Sequence, residues 1–148
     1  MEIKIEVFSG QYYEELFYLI DLNIPTYFAA EEKDHFKQYL EEEIEDYYVL
    51  FADNKIIGCG GINYDDPQTA VITWDMMHPE YQGQGLGSKL LQYRLSKIKE
   101  NEEIDNVTVR TSQMAQSFYA KNGFKLLEVK KDFWAKGFDL YLMKYDVK

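Results

Sequence analysis

Met76-Met77-His78-Pro79-Glu80-Tyr81-Gln82-Gly83-Gln84-Gly85-Leu86-Gly87-Ser88, running on into Lys89-Leu90-Leu91-Gln92-Tyr93-Arg94-Leu95, joins a strand to a helix through a glycine-rich loop. An apolar run from Val71 to Met77 leads into a proline-containing turn and then into glycines at alternate positions 83, 85 and 87. Leu86, Leu90, Leu91, Leu95 and Ile98 then recur at three- and four-residue steps, the period of a helix with one apolar face. A glycine-rich loop therefore opens a helix directly after a strand. The first-turn N–H groups of such a helix lack intrahelical partners, and glycines keep side chains out of their way. With the positive end of the helix dipole added, the loop is expected to hold a phosphate.

Spacing decides which phosphate ligand. A Walker loop ends in Gly-Lys-Ser/Thr, and the chain has no such run. A dinucleotide fingerprint needs Gly-x-Gly-x-x-Gly, and Gly83, Gly85 and Gly87 are one residue too close together. Gln82-x-x-Gly85-x-Gly87 instead resembles the acyl-CoA pyrophosphate loop of the GNAT superfamily of N-acetyltransferases, and His78-Pro79-Glu80-Tyr81 resembles what that family sets between strand and loop. A second stretch, Thr111-Ser112-Gln113-Met114-Ala115-Gln116-Ser117-Phe118-Tyr119-Ala120-Lys121-Asn122-Gly123-Phe124, reads as a short helix. Thr111 or Ser112 caps its start, Asn122-Gly123 gives a left-handed exit, and Ala115, Phe118 and Tyr119 share a face. Its Phe-Tyr-x-Lys-x-Gly-Phe form resembles the GNAT segment after the fifth strand, where the tyrosine faces the cofactor sulfur. The resemblance is good from Lys55 to Phe124 and poor in the N-terminal quarter.

The resemblance implies an α/β (α+β) GNAT fold: a central, mostly antiparallel sheet of about seven strands, splayed between strands four and five and flanked by about four helices. It implies acetyl-CoA as cosubstrate, no metal, and direct acetyl transfer to a primary amine in a ternary complex. By the same resemblance, the backbone of Met76 and Met77 holds pantetheine, and the Met77 N–H donates to the thioester oxygen. Gln82, Gly83, Gln84, Gly85, Leu86, Gly87 and Ser88 hold the pyrophosphate, with Lys89 or Arg110 nearby. Ser112 or Gln113 meets the pantetheine arm, and Tyr119 is the candidate general acid, against the plainer reading of a packed aromatic.

The general base is less evident. Many relatives use a glutamate on strand four or five, and Thr108, near the matching place on strand five, has no carboxylate. Asp75 is the one carboxylate late in an otherwise apolar strand four, and it is read either as the base or as a strand-end aspartate paired with a lysine or a backbone N–H. A water-relayed base is a further route. His78 decorates the start of the loop, and Cys59 in Gly58-Cys59-Gly60-Gly61 reads as a small buried strand residue rather than a nucleophile. Tyr27, Phe28, Phe133 and Trp134 fall in loops that either wall the acceptor pocket or simply pack.

In chain order, Glu2–Phe8 reads as a strand, Tyr12–Ile20 as a helix stopped by Asn23-Ile24-Pro25, and Glu31–Ile44 as an acidic helix with Phe36, Tyr39 and Leu40 inward. Tyr47–Ala52, Lys55–Ile62 and Thr69–Met77 form a meander turned at Asp53-Asn54 and at Asp65–Gln68. Ile104–Val109, the Ser112 helix, Phe124–Val129 and Phe138–Tyr145 complete one domain over residues 1–148, with a loop carrying Phe133 and Trp134 between the last two strands.

Composition bounds the partners. Sixteen Lys and Arg against 26 Asp and Glu give a formal net charge of −10, a field that opposes nucleic acid and an anionic bilayer and favours a cationic acceptor. No apolar run approaches a membrane span, the N-terminus does not read as a signal peptide, and a single cysteine fits a reducing cytoplasm. The expectation is a cytoplasmic N-acetyltransferase of small cationic amines. Two rivals stand beside it: a non-catalytic acyl-CoA-binding sensor or interaction module, and a protein N-terminal or lysine acetyltransferase. Many similar proteins dimerise, so a homodimer is also expected.

Overall fold

The computed structural model describes residues 1–147; Lys148, the last residue of the expected domain, lies outside them. Seven strands form one sheet: β1 (Ile3–Val7), β2 (Asp46–Ala52), β3 (Lys55–Asp66), β4 (Thr69–Met77), β5 (Asn106–Thr111), β6 (Lys125–Ala135) and β7 (Phe138–Asp146). Their spatial order is β1-β2-β3-β4-β5-β7-β6. Every neighbouring pair is antiparallel except β4 and β5, which run parallel. The described residues also form four α-helices: α1 (Tyr13–Leu22), α2 (Glu32–Gln38), α3 (Leu86–Lys99) and α4 (Gln116–Lys121). The expected mixed sheet with flanking helices is borne out.

The sheet separates two cores. Leu86, Leu90, Leu91, Leu95 and Ile98 of α3 pack with Ile57, Ile72, Val107 and Val109 on one face. Leu16, Leu19 and Ile20 of α1 pack with Phe36, Tyr47 and Val49 on the other. The helical stripe read from the sequence is thus the buried face of α3, and each fully buried Leu or Ile contributes roughly 1.5–3 kcal/mol of transfer free energy.

The feature that makes room for a site is the parallel pair. β4 and β5 are in register from Thr69↔Asn106 to Ile72↔Val109, and β4 continues to Met77 without pairing to β5. A bulge begins at the same place. Trp74 has φ +45°, and the register with β3 passes from Gly61↔Thr73 to Cys59↔Met76, so Trp74 and Asp75 together oppose Gly60. The bulge turns Trp74 into the α1–α2 core and Asp75 to the opposite face, beside α3. A Cβ on Gly60 would lie 2.0 Å from Asp75 Oδ1 and 2.7 Å from Arg94 Nη1, so glycine is required by this close approach. Gly60→Ala is expected to cost about 1–3 kcal/mol in urea unfolding, by overpacking a site that cannot relax toward solvent.

Several boundaries differ from expectation. The acidic helix stops at Gln38, and Tyr39–Glu43 continue as one π turn, whose wider path brings the Tyr39 hydroxyl to Asn63 and Thr73. β3 runs on to Asp66 because Asn63, Tyr64 and Asp66 keep pairing with β4, which leaves Pro67-Gln68 as the turn. Strand five starts at Asn106, since Ile104 is held in a turn by Asn101. The helix expected from Ser112 begins at Gln116 with Ala115 at its N-cap: Thr111 ends β5, and Ser112 instead accepts the Met114 N–H in a turn. Phe133 and Trp134 lie on β6 rather than in a loop, because Asp132 closes a long β6–β7 hairpin through the Gly137 N–H at 2.7 Å.

Candidate active site

A cavity of about 1040 Å³ occupies the gap between β4 and β5 and extends to both ends of it. At one end lie Gln82, Gly83, Gly85, Gly87 and Ser88. Gly83 and Gly85 have φ +79° and +78°, a left-handed conformation that favours glycine, and Gly85 is the N-cap of α3. A Cβ at either would touch nothing in the protein, so open space surrounds this helix start. Arg110 also lines the cavity; Lys89, Gln84 and Leu86 do not, and Leu86 is part of the core.

Past the bulge, Met76 and Met77 line the cavity. The His78 N–H donates to Ile57 O at 2.7 Å, so by antiparallel alternation Met77 turns its own N–H and C=O away from β3 and toward the gap. Its carbonyl accepts from Asn23 Nδ2 at 3.0 Å, and Asn23 also donates to Leu19 O at 2.8 Å, which fixes this buried amide at the end of α1. The Met77 N–H is left aimed at the cavity as a hydrogen-bond donor.

Between these features lies a buried polar triad. Tyr119 of α4 is 4% exposed, and its hydroxyl donates to Asp75 Oδ2 at 2.5 Å. Asp75 Oδ1 meets Arg94 Nη2 of α3 as an ion pair without hydrogen-bond alignment. Arg94, 1% exposed, donates from Nη1 to Gly61 O at 3.0 Å and from Nε to Leu90 O at 3.3 Å. Burial pushes the Asp75 carboxyl above the usual aspartate value, although Arg94 and the Tyr119 hydrogen bond pull it down. Burial, reinforced by the Asp75 charge, holds the Tyr119 phenol well above its ordinary value. The lysine or backbone partner expected for Asp75 is therefore replaced by an arginine and a tyrosine.

The far end of the cavity is aromatic and acidic. Trp74 stacks on Phe28 at 5.9 Å and 17° and packs against Phe36 and Tyr39. Glu43, Glu45 and Asp65 line the same end. Glu45 accepts from Asn63 Nδ2 at 3.1 Å, and Asn63 in turn meets the Tyr39 hydroxyl. Tyr27 donates to Gln82 Oε1 at 3.2 Å and so ties this end to the glycine loop. Glu32, also on the wall, takes the Ala29 N–H at 2.7 Å, and burial raises its carboxyl above the ordinary range.

Other expected residues fall into place less centrally. Ser112 is buried on the cavity wall, whereas Gln113 lies outside the lining and spans the β6–β7 hairpin, bonding Gly137 O at 2.7 Å and the Asp139 N–H at 2.9 Å. His78 Nδ1 accepts the Glu80 N–H at 3.2 Å, a local cap before the loop. Cys59 is fully buried, and burial pushes its thiol up to about 12, which leaves it inert as a nucleophile at neutral pH. Trp134 lines the cavity and donates to Thr111 O at 3.1 Å, while Phe133 is 47% exposed. Among the described residues no group of three or more His, Cys, Asp or Glu is placed to hold a metal ion. No helix among them is long and apolar enough to cross a membrane.

Arg94, Asn23 and Trp74 are among the residues of the site that were not singled out from sequence. Arg94 had a signal, because it stands within the stripe Leu86, Leu90, Leu91, Leu95, where a cation at a core position demands a buried carboxylate.

Comparison with known proteins gives the same reading. A family model described as an acetyltransferase (GNAT) domain matches residues 21–147. An N-alpha-acetyltransferase of Sulfurisphaera tokodaii is 30% identical over 135 residues, covering 82% of this chain and 77% of its own. The chain spans 21% of an amino-acid acetyltransferase of Pasteurella multocida, to which it is 29% identical over 94 residues. Ard1 from Thermoplasma volcanium superimposes with a TM-score of 0.84 at 18% identity, covering 100% of this chain and 99% of that one. A GNAT family acetyltransferase from Elizabethkingia anophelis with acetyl-CoA bound gives 0.75 at 24% identity, covering 98% of each chain. With a matching family model over most of its length, a sheet opened between β4 and β5 and a glycine loop at the start of α3, the chain belongs to the GNAT acetyltransferase family.

Proposed function

We propose that this protein transfers the acetyl group of acetyl-CoA to the primary amine of a small cationic molecule, directly and within a ternary complex. The observation that carries the reading is one continuous cavity joining the glycine loop, the Met77 N–H, the Tyr119–Asp75 pair and an acidic, aromatic mouth. The loop backbone from Gly83 to Ser88 binds the pyrophosphate at the dipole-positive end of α3. The pantetheine arm takes the unpaired edge of β4 beyond Ile72, as an added strand would. The Met77 N–H donates to the thioester oxygen and becomes the oxyanion donor as the carbonyl turns tetrahedral. Tyr119 and Asp75 are the proton-handling groups next to this point.

The acceptor enters from the mouth. Glu43, Glu45 and Asp65 attract a cation, and the faces of Trp74 and Phe28 suit an ammonium or its alkyl stem. A lone cysteine and an acidic surface accord with a reducing, cytoplasmic setting. The relatives' names include both amino-acid and N-alpha acetylation, so the acceptor class is the point to test. Acetylated products of diamines, free amino acids, acidic amines and a peptide with a free N-terminus are quantified by mass spectrometry at equal concentration. Diamines are expected to lead; exclusive acetylation of the peptide would replace this acceptor class by a protein N-terminus. Glu45→Gln is expected to raise the diamine KM roughly 2- to 5-fold, as for an exposed ion pair, with the acetyl-CoA KM unchanged.

A further inference from the structure

A tyrosine hydroxyl carries one proton, and that of Tyr119 is already given to Asp75 at 2.5 Å. What Tyr119 offers the cavity is therefore an acceptor lone pair. This does not suit a tyrosine that simply hands its own proton to a leaving thiolate. With Asp75 ionised, such a step would leave a phenolate against a carboxylate in a buried site, two like charges at hydrogen-bond distance. It does suit a group that receives a proton. The carboxylate behind it is buried, which makes it more basic than an ordinary aspartate, and it is balanced by a guanidinium that never gives up its charge. The same pair also answers a gap in strands four and five, where Asp75 is the carboxylate closest to the Met77 N–H in sequence and Thr108 has none to offer.

We propose that Asp75 and Tyr119 form one proton shuttle, positioned by Arg94, that takes the proton from the attacking amine and returns it to the departing thiolate. The inference rests on the acetyl-transfer reading above. The amine attacks in its neutral form and makes the C–N bond, giving a tetrahedral centre with N–H⁺ and O⁻. The N–H⁺ proton passes to the Tyr119 oxygen as the Tyr119 proton passes to Asp75 Oδ2, leaving a neutral carboxylic acid beside Arg94. The O⁻ re-forms the carbonyl, the C–S bond breaks, and its electron pair leaves on sulfur. Asp75 then returns its proton to Tyr119 as Tyr119 gives one to sulfur. The products are the amide and CoA thiol, with Asp75 again ionised. At the moment Tyr119 acts as an acid, Asp75 holds a proton to replace the one it gives, so no phenolate forms.

The groups that touch Asp75 are Arg94 from α3 and Tyr119 from α4; Cys59 of β3 and Tyr47 of β2 lie in the α1–α2 core on the other face of the sheet and feel only its charge. Burial raises the Cys59 thiol to about 12 and holds the Tyr47 phenol well above its ordinary value, so both stay neutral between pH 6 and pH 9. Within that range Arg94 is the charge that Asp75 answers to. Arg94 contacts no reacting atom; it is a positioning residue. Gly60 belongs to the same device, since any side chain there would push the pair apart.

The test has a kinetic arm and a spectroscopic arm. Free-thiol release from acetyl-CoA is followed for the wild type, Asp75→Asn, Tyr119→Phe and the double variant, with CoA affinity measured by calorimetry. Each single variant is expected to lose roughly 10²-fold or more in kcat, the range of general acid–base catalysis, with CoA affinity unchanged. The double variant is expected to lose no more than either single one, because the two residues act as a unit. Asp75→Asn within 3-fold of wild type, or a double loss equal to the product of the single losses, would overturn the shuttle and leave acetyl transfer standing. In the second arm, ¹³C NMR of labelled aspartate carboxyl and tyrosine ring carbons is recorded against pH. Asp75 is expected to titrate above the ordinary aspartate range, with Tyr119 shifting over the same interval. Its midpoint should rise in Tyr119→Phe, which removes a hydrogen bond that favours the ionised carboxylate. An Asp75 midpoint unmoved by Tyr119→Phe would overturn the coupling whether or not a good acceptor is in hand. A wild type that releases no thiol with any amine, yet shows the coupled titration, would overturn acetyl transfer itself and with it the shuttle's use.

Discussion

Gly85→Glu is expected to weaken CoA binding by at least roughly 100-fold in calorimetry, since several charge-assisted hydrogen bonds from the loop are lost together. Two effects act in the same direction. The left-handed φ of +78° at Gly85 strains any side-chain-bearing residue, so the N-cap geometry of α3 is disturbed. The new carboxylate also stands in open space at the dipole-positive end of α3, where it takes the place of the phosphate and repels it. Stability should fall by about 1–2 kcal/mol, the cost of the left-handed backbone alone, because a side chain here meets no other part of the protein. Retained affinity would remove the loop from the phosphate site and detach the two halves of the cavity.

Arg94→Met is expected to destabilise the protein by roughly 3–5 kcal/mol at neutral pH, the cost of leaving a buried carboxylate without its partner. The methionine keeps the apolar stem of the side chain on α3, so most of the packing survives. What is lost is the cation beside Asp75 and the bonds to Gly61 O and Leu90 O. The pH dependence has a definite sign. Burial already raises the Asp75 carboxyl in the folded protein, and Arg94 is the largest influence lowering it, so the variant raises it further. A folded state that binds the proton more tightly than the unfolded chain loses stability as pH rises from the ordinary aspartate value, about 4, through the raised one. The deficit of Arg94→Met relative to wild type should therefore shrink at acid pH, and Arg94→Met/Asp75→Asn should recover much of it at neutral pH. Urea unfolding at pH 5 and pH 8 measures both; equal deficits at the two values would mean that Asp75 is not the group left unpaired.

The fold was legible because its two most informative stretches are local. Gly83–Gly87 needs left-handed turns and an open helix start, and the stripe from Leu86 to Ile98 needs a sheet to cover it; both requirements can be read along a few residues. The chemistry at the centre was less legible because it is assembled across distance. Asp75, Arg94 and Tyr119 come from β4, α3 and α4, and their meeting depends on a bulge at Trp74 and on the absence of a side chain at Gly60. No periodicity announces a bulge one residue long. Asn23 was visible as a helix stop, but its second bond, to Met77 O, exists because α1 ends against the open edge of β4. The β6 hairpin was underestimated for a related reason: its exposed strand, with Leu127 57% exposed, has little burial pattern to read, and Asp132 holds it through backbone N–H groups.

On the proposed function, this cavity holds acetyl-CoA and an amine together and passes the acetyl group between them. Free-thiol release from acetyl-CoA across a panel of amines, with CoA binding by calorimetry on the same preparation, tests it most directly. Thiol release with cationic amines, lost in Gly85→Glu together with CoA affinity, is the predicted result. Tight CoA binding without thiol release from any amine or peptide would contradict transfer and leave a protein that binds acyl-CoA without turning it over.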